Sequence, residues 1–377
     1  MFNPFKNLNK LEEYDRCLML MAVALTCLGV VMIYSASAVM ADKRMHDGFY
    51  FLKRQGGFAV VGMTIMLVTM QVEYHVWRRW AIPLLGFSLL LLVAVLIPGL
   101  GGSAGGSSRW IKLFAGFRFQ PSELAKIALI IYMAFALERK QEKIKSFGAG
   151  FLSYMIILMI LLALLLMQPD LGSAVTLFLV AFAMLFAAGA RKTYIFSVIL
   201  LSLPFFYLLV MNVAYRKRRV LAFLDPWQDP QNSGYQIIQS LMAMGSGGLF
   251  GRGLGEGTQK LFYLPEAHTD FILAVIGEEL GYVGVMVVVG LFAVLVERSV
   301  RIALNARDSF GRSVALGIAV LLGVEASINM GVVTGLLPTK GLALPFVSYG
   351  GSSLLVTLFG VGILLNISSY GSKRAKG

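Results

Sequence analysis

Residues 268–296 read "HTDFILAVIGEELGYVGVMVVVGLFAVLV", and this stretch decides the fold class. After Asp270 the run is apolar for 26 residues, apart from the pair Glu278 and Glu279. A helix rises 1.5 Å per residue, so about 20 apolar residues cross the hydrocarbon core of a bilayer. We therefore predict a membrane-spanning helix here, with the carboxylate of Asp270 at its N-terminal end.

The same pattern recurs along the whole chain. Of its 377 residues, 58% are hydrophobic and only 14% are charged, whereas soluble domains carry roughly 25% charged residues. We predict an all-α polytopic integral membrane protein in which residues 1–377 form a single transmembrane domain. Ten spans are expected, at about 17–40, 56–72, 81–98, 121–137, 151–167, 171–189, 193–213, 270–296, 313–333 and 348–367.

The distribution of positive charge predicts the orientation of these spans. If the N-terminus lies inside, the inner segments carry more Lys and Arg than the short outer loops, and such an excess marks the cytoplasmic side. Both termini are therefore predicted to be cytoplasmic, and the large 214–269 loop between the seventh and eighth spans faces outward. Anionic lipid head groups account for the formal net charge of +13, so no nucleic acid is implied.

Several motifs that supply energy or bind metals are missing. The sequence has no G-x-x-x-x-G-K-[ST] stretch, and its glycine-rich segment 245–257 lacks a strand-turn-helix context. That segment is expected to be a flexible outer loop rather than a nucleotide site. Only three histidines are present, without the spacing of zinc ligands. A reaction would therefore draw its energy from an activated substrate or from an ion gradient.

Asp270 has two interpretations. It can cap the N-terminus of the eighth span, a role that Asp often fills. It can instead be a general base at the outer membrane surface, where low dielectric raises its pKa while cations and the helix N-terminus lower it. Glu266 and His268 are close enough in sequence to share its site. Carboxylates within spans are costly, which makes three others candidate functional residues: Glu278, Glu279 and Glu325.

Positively charged residues assigned to the outer half would suit a diphosphate, and they are Arg109, Lys112, Arg118, Lys126 and Lys340. Each of them alone is equally explained as an interfacial cation that reaches toward head groups. The stretch "SYGGSS" (348–353) places hydroxyls and glycines at a helix start, which suits either an anion or close helix packing.

Two stretches, "FQPSELAK" (119–126) and "MQPDLGSA" (167–174), look alike. Each has a proline followed by an acidic residue, which predicts the start of a helix. They are either two ordinary helix starts or two helix ends directed at one polar site, an arrangement that transporters use.

Four stretches together resemble the SEDS proteins of bacterial cell-wall synthesis. They are "SSRWIKLFAGFRFQPSELAK", "QPDLGSA", "DPWQDPQNSGYQIIQSLMAMGSGGLFGRGLGEGTQKLFYLPEAHTDFILAVIGEELG" and "GLLPTKGLALPFVSYGGSSLL", and they occur in the order typical of that family. The resemblance covers residues from about 15 to 367. The wordings "LPEAHTDF" and "LLPTKGL" are closer to the members that act in cell division than to those that act in elongation.

The resemblance implies a ten-span peptidoglycan glycosyltransferase that polymerises lipid II at the outer face of the bacterial inner membrane, at the division septum. The Asp of the "HTDF" stretch, Asp270, would then be the catalytic residue. The candidate substrate-binding residues are Arg109, Trp110, Gln120, Glu123, Lys126, Glu266, His268, Lys340, Ser348, Tyr349 and Ser352.

The resemblance also implies partners. These are lipid II, membrane lipids, a class B penicillin-binding protein that acts as the septal transpeptidase, and other membrane proteins of the divisome. No cofactor is certain, and a divalent cation, Mg²⁺ or Mn²⁺, is the one candidate. Two alternative functions stay open: a lipid II flippase, and a non-catalytic scaffold that recruits the transpeptidase, for which Asp270 would be dispensable.

Overall fold

The computed structural model describes residues 14–104, 107–112, 118–139, 144–261, 263–339 and 341–372. Within these ranges the chain is mostly helical and has three short strands. The helices are α1 Arg16–Met45, α2 Tyr50–Thr69, α3 His75–Leu96, α4 Pro121–Arg139, α5 Ser153–Met167, α6 Leu171–Ala187, α7 Lys192–Met211, α8 Ala214–Leu224, α9 Tyr235–Ser246, α10 Ile272–Leu304, α11 Ser309–Val333 and α12 Gly351–Ser372.

The apolar runs of the sequence form these helices. In the described part of the chain, eight helical segments are long and apolar enough to cross a membrane. The two other predicted spans fall on α4, which carries two acidic and two basic residues, and on α6, which has 17 residues. Every predicted span thus coincides with a helix, and the number of ten crossings stays a prediction.

The centre of the bundle is formed by α4, α6 and α11, which pack against one another. Around them, α2 lies on α12, α3 on α4, and α1 on both α2 and α10. α7 lies at the periphery, where large side chains such as Leu200 and Leu201 are exposed. Exposed apolar side chains on a spanning helix face lipid, whose acyl chains are as apolar as leucine.

A small antiparallel sheet, absent from the sequence-based expectations, precedes α4. It consists of β1 (Gly101–Ala104), β2 (Ser107–Lys112) and β3 (Arg118–Phe119), with Gly102 opposite Trp110 and Ile111 opposite Phe119. The sheet contacts α3 and α4. It thereby holds Arg109 and the residues before α4 close to the end of the bundle at which α4 begins.

The predicted outer loop 214–269 is folded. It contains α8, whose sequence "AYRKRRVLAFL" has a basic cluster beside apolar residues, and a turn at Pro226–Gln228, followed by α9. α9 packs against α10 and α11, and Ser240 Oγ donates a hydrogen bond to Val333 O at 2.7 Å. These contacts fix the loop over the start of α10 and the end of α11.

α10 is not the continuous helix predicted over 270–296. Gly281 has φ 69° and ψ −168°, which kinks α10 between a short N-terminal part and a long C-terminal part. A side chain at this position would be strained, and its Cβ would lie 2.3 Å from Gly251 N. The glycine-rich segment packs on the break, since Arg252 N donates to Glu278 O and Gly253 N to Glu279 O, both at 3.0 Å. The expectation that 245–257 is a flexible loop is therefore wrong.

The two carboxylates before the break are fully buried and hold the same segment. Glu278 Oε1 accepts a hydrogen bond from Thr258 N at 2.8 Å. Glu279 Oε1 lies 2.6 Å from Lys260 Nζ and 2.7 Å from Ser35 Oγ. These contacts give both carboxylates a structural explanation, because each buried charge has hydrogen-bond donors.

Candidate active site

Asp270 lies in the turn that leads into α10. Glu266 has a positive φ of 55°, and its carbonyl accepts hydrogen bonds from Thr269 N at 3.1 Å and Phe271 N at 3.2 Å. The N-cap position of α10 is Phe271, and no side chain caps the helix there. The interpretation of Asp270 as an N-cap is therefore wrong, and the position of its carboxylate needs another explanation.

The Asp270 side chain lies against the segment that joins α11 to α12. It is half-buried, and a Cβ on Gly341 would be 3.0 Å from Asp270 Oδ2. From α11, Asn329 Nδ2 donates to Asp270 O at 2.9 Å and to Leu342 O at 2.7 Å. One buried amide thus joins the catalytic candidate to the irregular 334–350 segment, whose side chains Leu344 and Phe346 are buried by protein.

The surroundings of Asp270 favour its protonated form. Burial is the main cause and raises the pKa of Asp270 to about 7, and the negative charge of Glu266 acts in the same direction. The positive charges of Arg219 and Arg109 lower the pKa against these effects. A carboxyl with a pKa near 7 can accept a proton and release it at physiological pH.

His268 belongs to an aromatic cluster beside Asp270. Its ring centroid lies 4.8 Å from that of Phe51 and 5.7 Å from that of Tyr349, and Tyr349 N donates to His268 O at 2.9 Å. Burial lowers the pKa of His268, with Arg44 acting in the same direction and Glu266 against it. The imidazole is therefore neutral near pH 7 and can exchange hydrogen bonds without carrying charge.

Arg109 contacts the start of α6, one of the two helix starts whose sequences look alike. It donates to Pro169 O, and its Nη1 lies 3.9 Å from Asp170 Oδ1. Asp170 caps α6 by accepting from Ser173 N at 3.2 Å, and its Oδ2 lies 3.4 Å from Ser122 Oγ on α4. The starts of α4 and α6 therefore meet at one polar site, as the second of the two interpretations expected.

Lys126 lies deeper than its predicted role requires. Its Nζ is 2.7 Å from Glu123 Oε1 and also bonds Glu325 Oε1 on α11, and all three side chains are buried. Lys126 is therefore the buried partner of Glu325. The role of Lys126 and Glu123 as substrate ligands stays a prediction, and their mutual pairing favours a structural role. Lys340 lies outside the described residues.

The predicted hydroxyl ligands around the start of α12 are engaged with backbone. Ser348 Oγ accepts from Leu344 N at 2.8 Å, and Ser352 Oγ accepts from Gln120 N at 3.1 Å. At Gly351 a Cβ would lie 2.4 Å from the Phe58 ring, so the glycines of "SYGGSS" allow close helix packing. Tyr349 faces the aromatic cluster instead, and half-buried Trp110 lies beside Arg109 in β2.

Arg219, Asn329 and Gly341 were not predicted as site residues, although they surround Asp270. Arg219 belongs to the basic run at 216–219, and its Nη1 donates to Thr339 O at 3.1 Å. The basic run is the one available signal, and a basic run beside apolar residues is equally typical of an interfacial helix. Asn329 lies 59 residues from Asp270 in sequence, and nothing local marks it.

The described residues do not form a site for a resident metal ion. Among them, no group of three His, Cys, Asp or Glu side chains could hold one. Glu266 is a carboxylate whose charge acts on Asp270. We derive no step from a metal, and the predicted Mg²⁺ or Mn²⁺ stays a prediction, which activity measurements in EDTA followed by each metal will test.

Fold and site together define a class: a multi-pass α-helical membrane protein with a titratable carboxylate recessed among arginines at one end of the bundle. Within this class, the chain belongs to the FtsW/RodA/SpoVE family of cell cycle proteins, whose model matches residues 15–373.

Relatives and solved structures agree with this assignment. The chain is 64% identical to the probable peptidoglycan glycosyltransferase FtsW of Geobacter metallireducens, over 96% of each chain, and 46% identical to stage V sporulation protein E of Bacillus subtilis, over 94% and 97%. It superposes with a TM-score of 0.77 and 32% identity on a chain of a peptidoglycan synthase complex described as coordinating polymerization and crosslinking, covering 94% and 97%. For the rod shape determining protein RodA of Thermus thermophilus the TM-score is 0.70 at 29% identity, covering 96% and 98%.

These comparisons confirm the predicted family and the all-α polytopic membrane fold. They also confirm the predicted enzyme class, peptidoglycan glycosyltransferase.

Proposed function

We propose that this chain polymerises lipid II into glycan strands at the outer face of the inner membrane during septal wall synthesis, with Asp270 as the general base. The observation that supports it most is the position of Asp270, a half-buried carboxyl with a pKa near 7 where α10 meets the outer loops. Lipid II has its tail in the bilayer and its sugars at the surface, so its reaction needs a base at that boundary.

The chemical step requires one proton acceptor. Asp270 takes the proton from the 4-hydroxyl of the acceptor's GlcNAc, and that oxygen attacks C1 of the donor's MurNAc. The bond from C1 to the diphosphate oxygen breaks as the glycosidic bond forms, with inversion at C1. The polyprenyl diphosphate leaves as an anion that arginines stabilise, so no general acid is needed. Asp270 then releases its proton to water.

The proposal includes an orientation and a partner. With both termini cytoplasmic, Asp270 and the 214–269 loop face outward, where lipid II presents its sugars. The crosslinking partner is a class B penicillin-binding protein of the divisome. The similarity to a chain from a complex that couples polymerization to crosslinking supports this assignment.

The direct test is strand synthesis from labelled lipid II by the purified protein with its cognate transpeptidase. Polymer formation that depends on this chain supports the proposal. A folded, partner-bound protein that makes no polymer but moves lipid II between leaflets of a vesicle would establish the flippase instead. Neither activity, with partner recruitment retained, would leave the scaffold as the function.

The pH profile is a first prediction. Asp270 accepts a proton only as a carboxylate, and that form becomes populated as pH rises through about 7. We expect kcat/KM to fall about tenfold per pH unit below 7 and to level off above it. The measurement is the initial rate of polymerisation in constant-ionic-strength buffers from about pH 5.5 to 8.5. A flat profile over that range contradicts the role of Asp270 as base.

A second prediction concerns Asn329. Asn329→Ala removes the donor to Asp270 O and Leu342 O, so the turn and the 334–350 segment lose their shared anchor. We expect kcat to fall about tenfold to a hundredfold with KM little changed, because small displacements of a base are costly. Thr334→Ala is the control, since its hydroxyl bonds Met330 O within the same helix end. An unchanged kcat in folded Asn329→Ala protein contradicts the prediction.

A further inference from the structure

The proposed reaction brings two diphosphates to one site, and this inference rests on that proposed function. The donor carries its diphosphate on the carbon that is attacked. The acceptor carries its own diphosphate at the far end of a disaccharide, away from the hydroxyl that attacks. A site that positions both substrates therefore needs cations at two different distances from the general base.

One set of cations adjoins Asp270 itself. Arg219 Nη1 donates to Thr339 O, and Gly341, two residues further along the same segment, approaches Asp270 Oδ2 closely. Arg109 approaches from the sheet and is held at Pro169 O. Both arginines act electrostatically on the Asp270 carboxylate.

The other set lies across the aromatic cluster. Arg54, on α2, has its guanidinium carbon 4.7 Å from the centroid of the Tyr50 ring, and it hydrogen-bonds the Tyr349 phenol. Tyr349 in turn packs against His268, and the charge of Arg44 acts on His268. Arg44 acts on His268, and Arg54 acts on Tyr349 with a smaller contribution from Arg118. Arg109 and Arg219 act on Asp270.

We infer that Arg109 and Arg219 bind the donor's departing diphosphate and that Arg54 binds the acceptor's diphosphate. In an inverting displacement the attacking and departing oxygens lie on opposite sides of one carbon, and the base contacts the attacking oxygen. One carbon separates the departing oxygen from the attacking oxygen, whereas a disaccharide separates the acceptor's diphosphate from it. The departing diphosphate is therefore the nearer of the two to Asp270. The acceptor's disaccharide extends from Asp270 past His268 and Tyr349, whose rings offer a stacking surface for sugars, and its diphosphate reaches Arg54.

The test separates the two substrates. A lipid II whose 4-hydroxyl is blocked acts as donor only, and a lipid II with a non-cleavable carbon link to its diphosphate acts as acceptor only, so each pair gives a single coupling. We expect Arg219→Gln to raise KM for the donor-only probe about tenfold, with the acceptor KM unchanged. Arg54→Gln should do the reverse.

Matched controls lie next to each arginine. Arg218→Gln and Lys53→Gln remove a positive charge from exposed neighbours and are expected to leave both KM values within about twofold. Arg219→Lys keeps the charge and should restore much of the donor affinity. The melting temperature of each variant is measured, and KM values are compared only among variants whose melting temperatures match that of the parent. A folding defect is then not counted as a binding defect.

The two-subsite assignment is overturned if each of Arg219→Gln and Arg54→Gln raises the donor KM and the acceptor KM equally. It is also overturned if neither variant raises either KM. Polymerisation by the parent still stands in both cases. If the KM effects are exchanged, the donor and acceptor assignments are overturned. If the parent protein couples no probes at all with its partner present, the proposed function itself fails.

Discussion

Strand synthesis by Asp270→Asn protein is expected to be about 10²–10⁴-fold slower than that of the parent, the range that a positioned general base contributes. The amide keeps the shape of the side chain but cannot accept the proton of an attacking hydroxyl. The expected loss is in kcat, because in the proposed mechanism Asp270 contacts the reacting hydroxyl and arginines supply the charges that bind diphosphate. Binding of lipid II should be nearly unchanged.

The measurement is the initial rate of polymer formation from labelled lipid II, with partner binding and melting temperature recorded for each variant. Asp47→Asn is the matched control, since Asp47 is a carboxylate near the outer end of α2 that pairs with exposed Lys53. Glu266→Gln adds a second comparison: removing its negative charge lowers the pKa of Asp270, so the acid limb should move to lower pH. Parent-like synthesis by folded Asp270→Asn protein would exclude Asp270 as the base.

Asp270 could be predicted from the sequence because its signal is local. A carboxylate directly before a long apolar run is unusual whatever the rest of the chain does, and the cost of placing a charge at a membrane boundary demands an explanation. The spans follow from the same kind of signal, since a helix must satisfy its own backbone within lipid. Each predicted span therefore coincides with a helix.

The remaining site residues could not be predicted, because their contacts join distant parts of the chain. In the sequence, Asn329 is only an amide within an apolar helix. In the fold, the turn before α10 and the 334–350 segment each place a backbone carbonyl against it. The sequence does not mark Gly281 either, because glycines are common in spanning helices. Its positive φ becomes necessary only through the close contact with Gly251. The sheet before α4 depends on pairing between short segments whose sequences carry no clear alternation.

Lys126 shows how a local signal misleads. A lysine in the first turns of an outer helix end looks available to an anion, and the sequence gives no sign that Glu325, 199 residues away, reaches it. In the structure its charge is already balanced by carboxylates within the protein. A buried ion pair gains little over an apolar replacement of both partners, but losing one partner leaves an uncompensated charge.

Lys126→Met is therefore expected to destabilise the protein by about 3–5 kcal/mol, because Glu123 and Glu325 would be left buried together without a cation. The measurement is the free energy of unfolding in detergent, or the melting temperature where unfolding is irreversible. In the Lys126→Met, Glu325→Leu double variant part of this loss should be recovered, since one of the two uncompensated carboxylates is removed. Lys112→Met, at an exposed cation of β2, is the control and should change stability by less than about 1 kcal/mol.

Kinetics separate this structural role from the predicted role in substrate binding. A buried lysine that only stabilises the bundle leaves the KM for lipid II unchanged in whatever fraction of Lys126→Met protein stays folded, and the double variant regains activity together with stability. A lysine that binds diphosphate gives the opposite result: KM rises at unchanged stability, and removing Glu325 restores nothing. The second outcome would place the diphosphate one to two helical turns below the outer end of α4, and would move the donor subsite from Arg109 and Arg219 into the bundle.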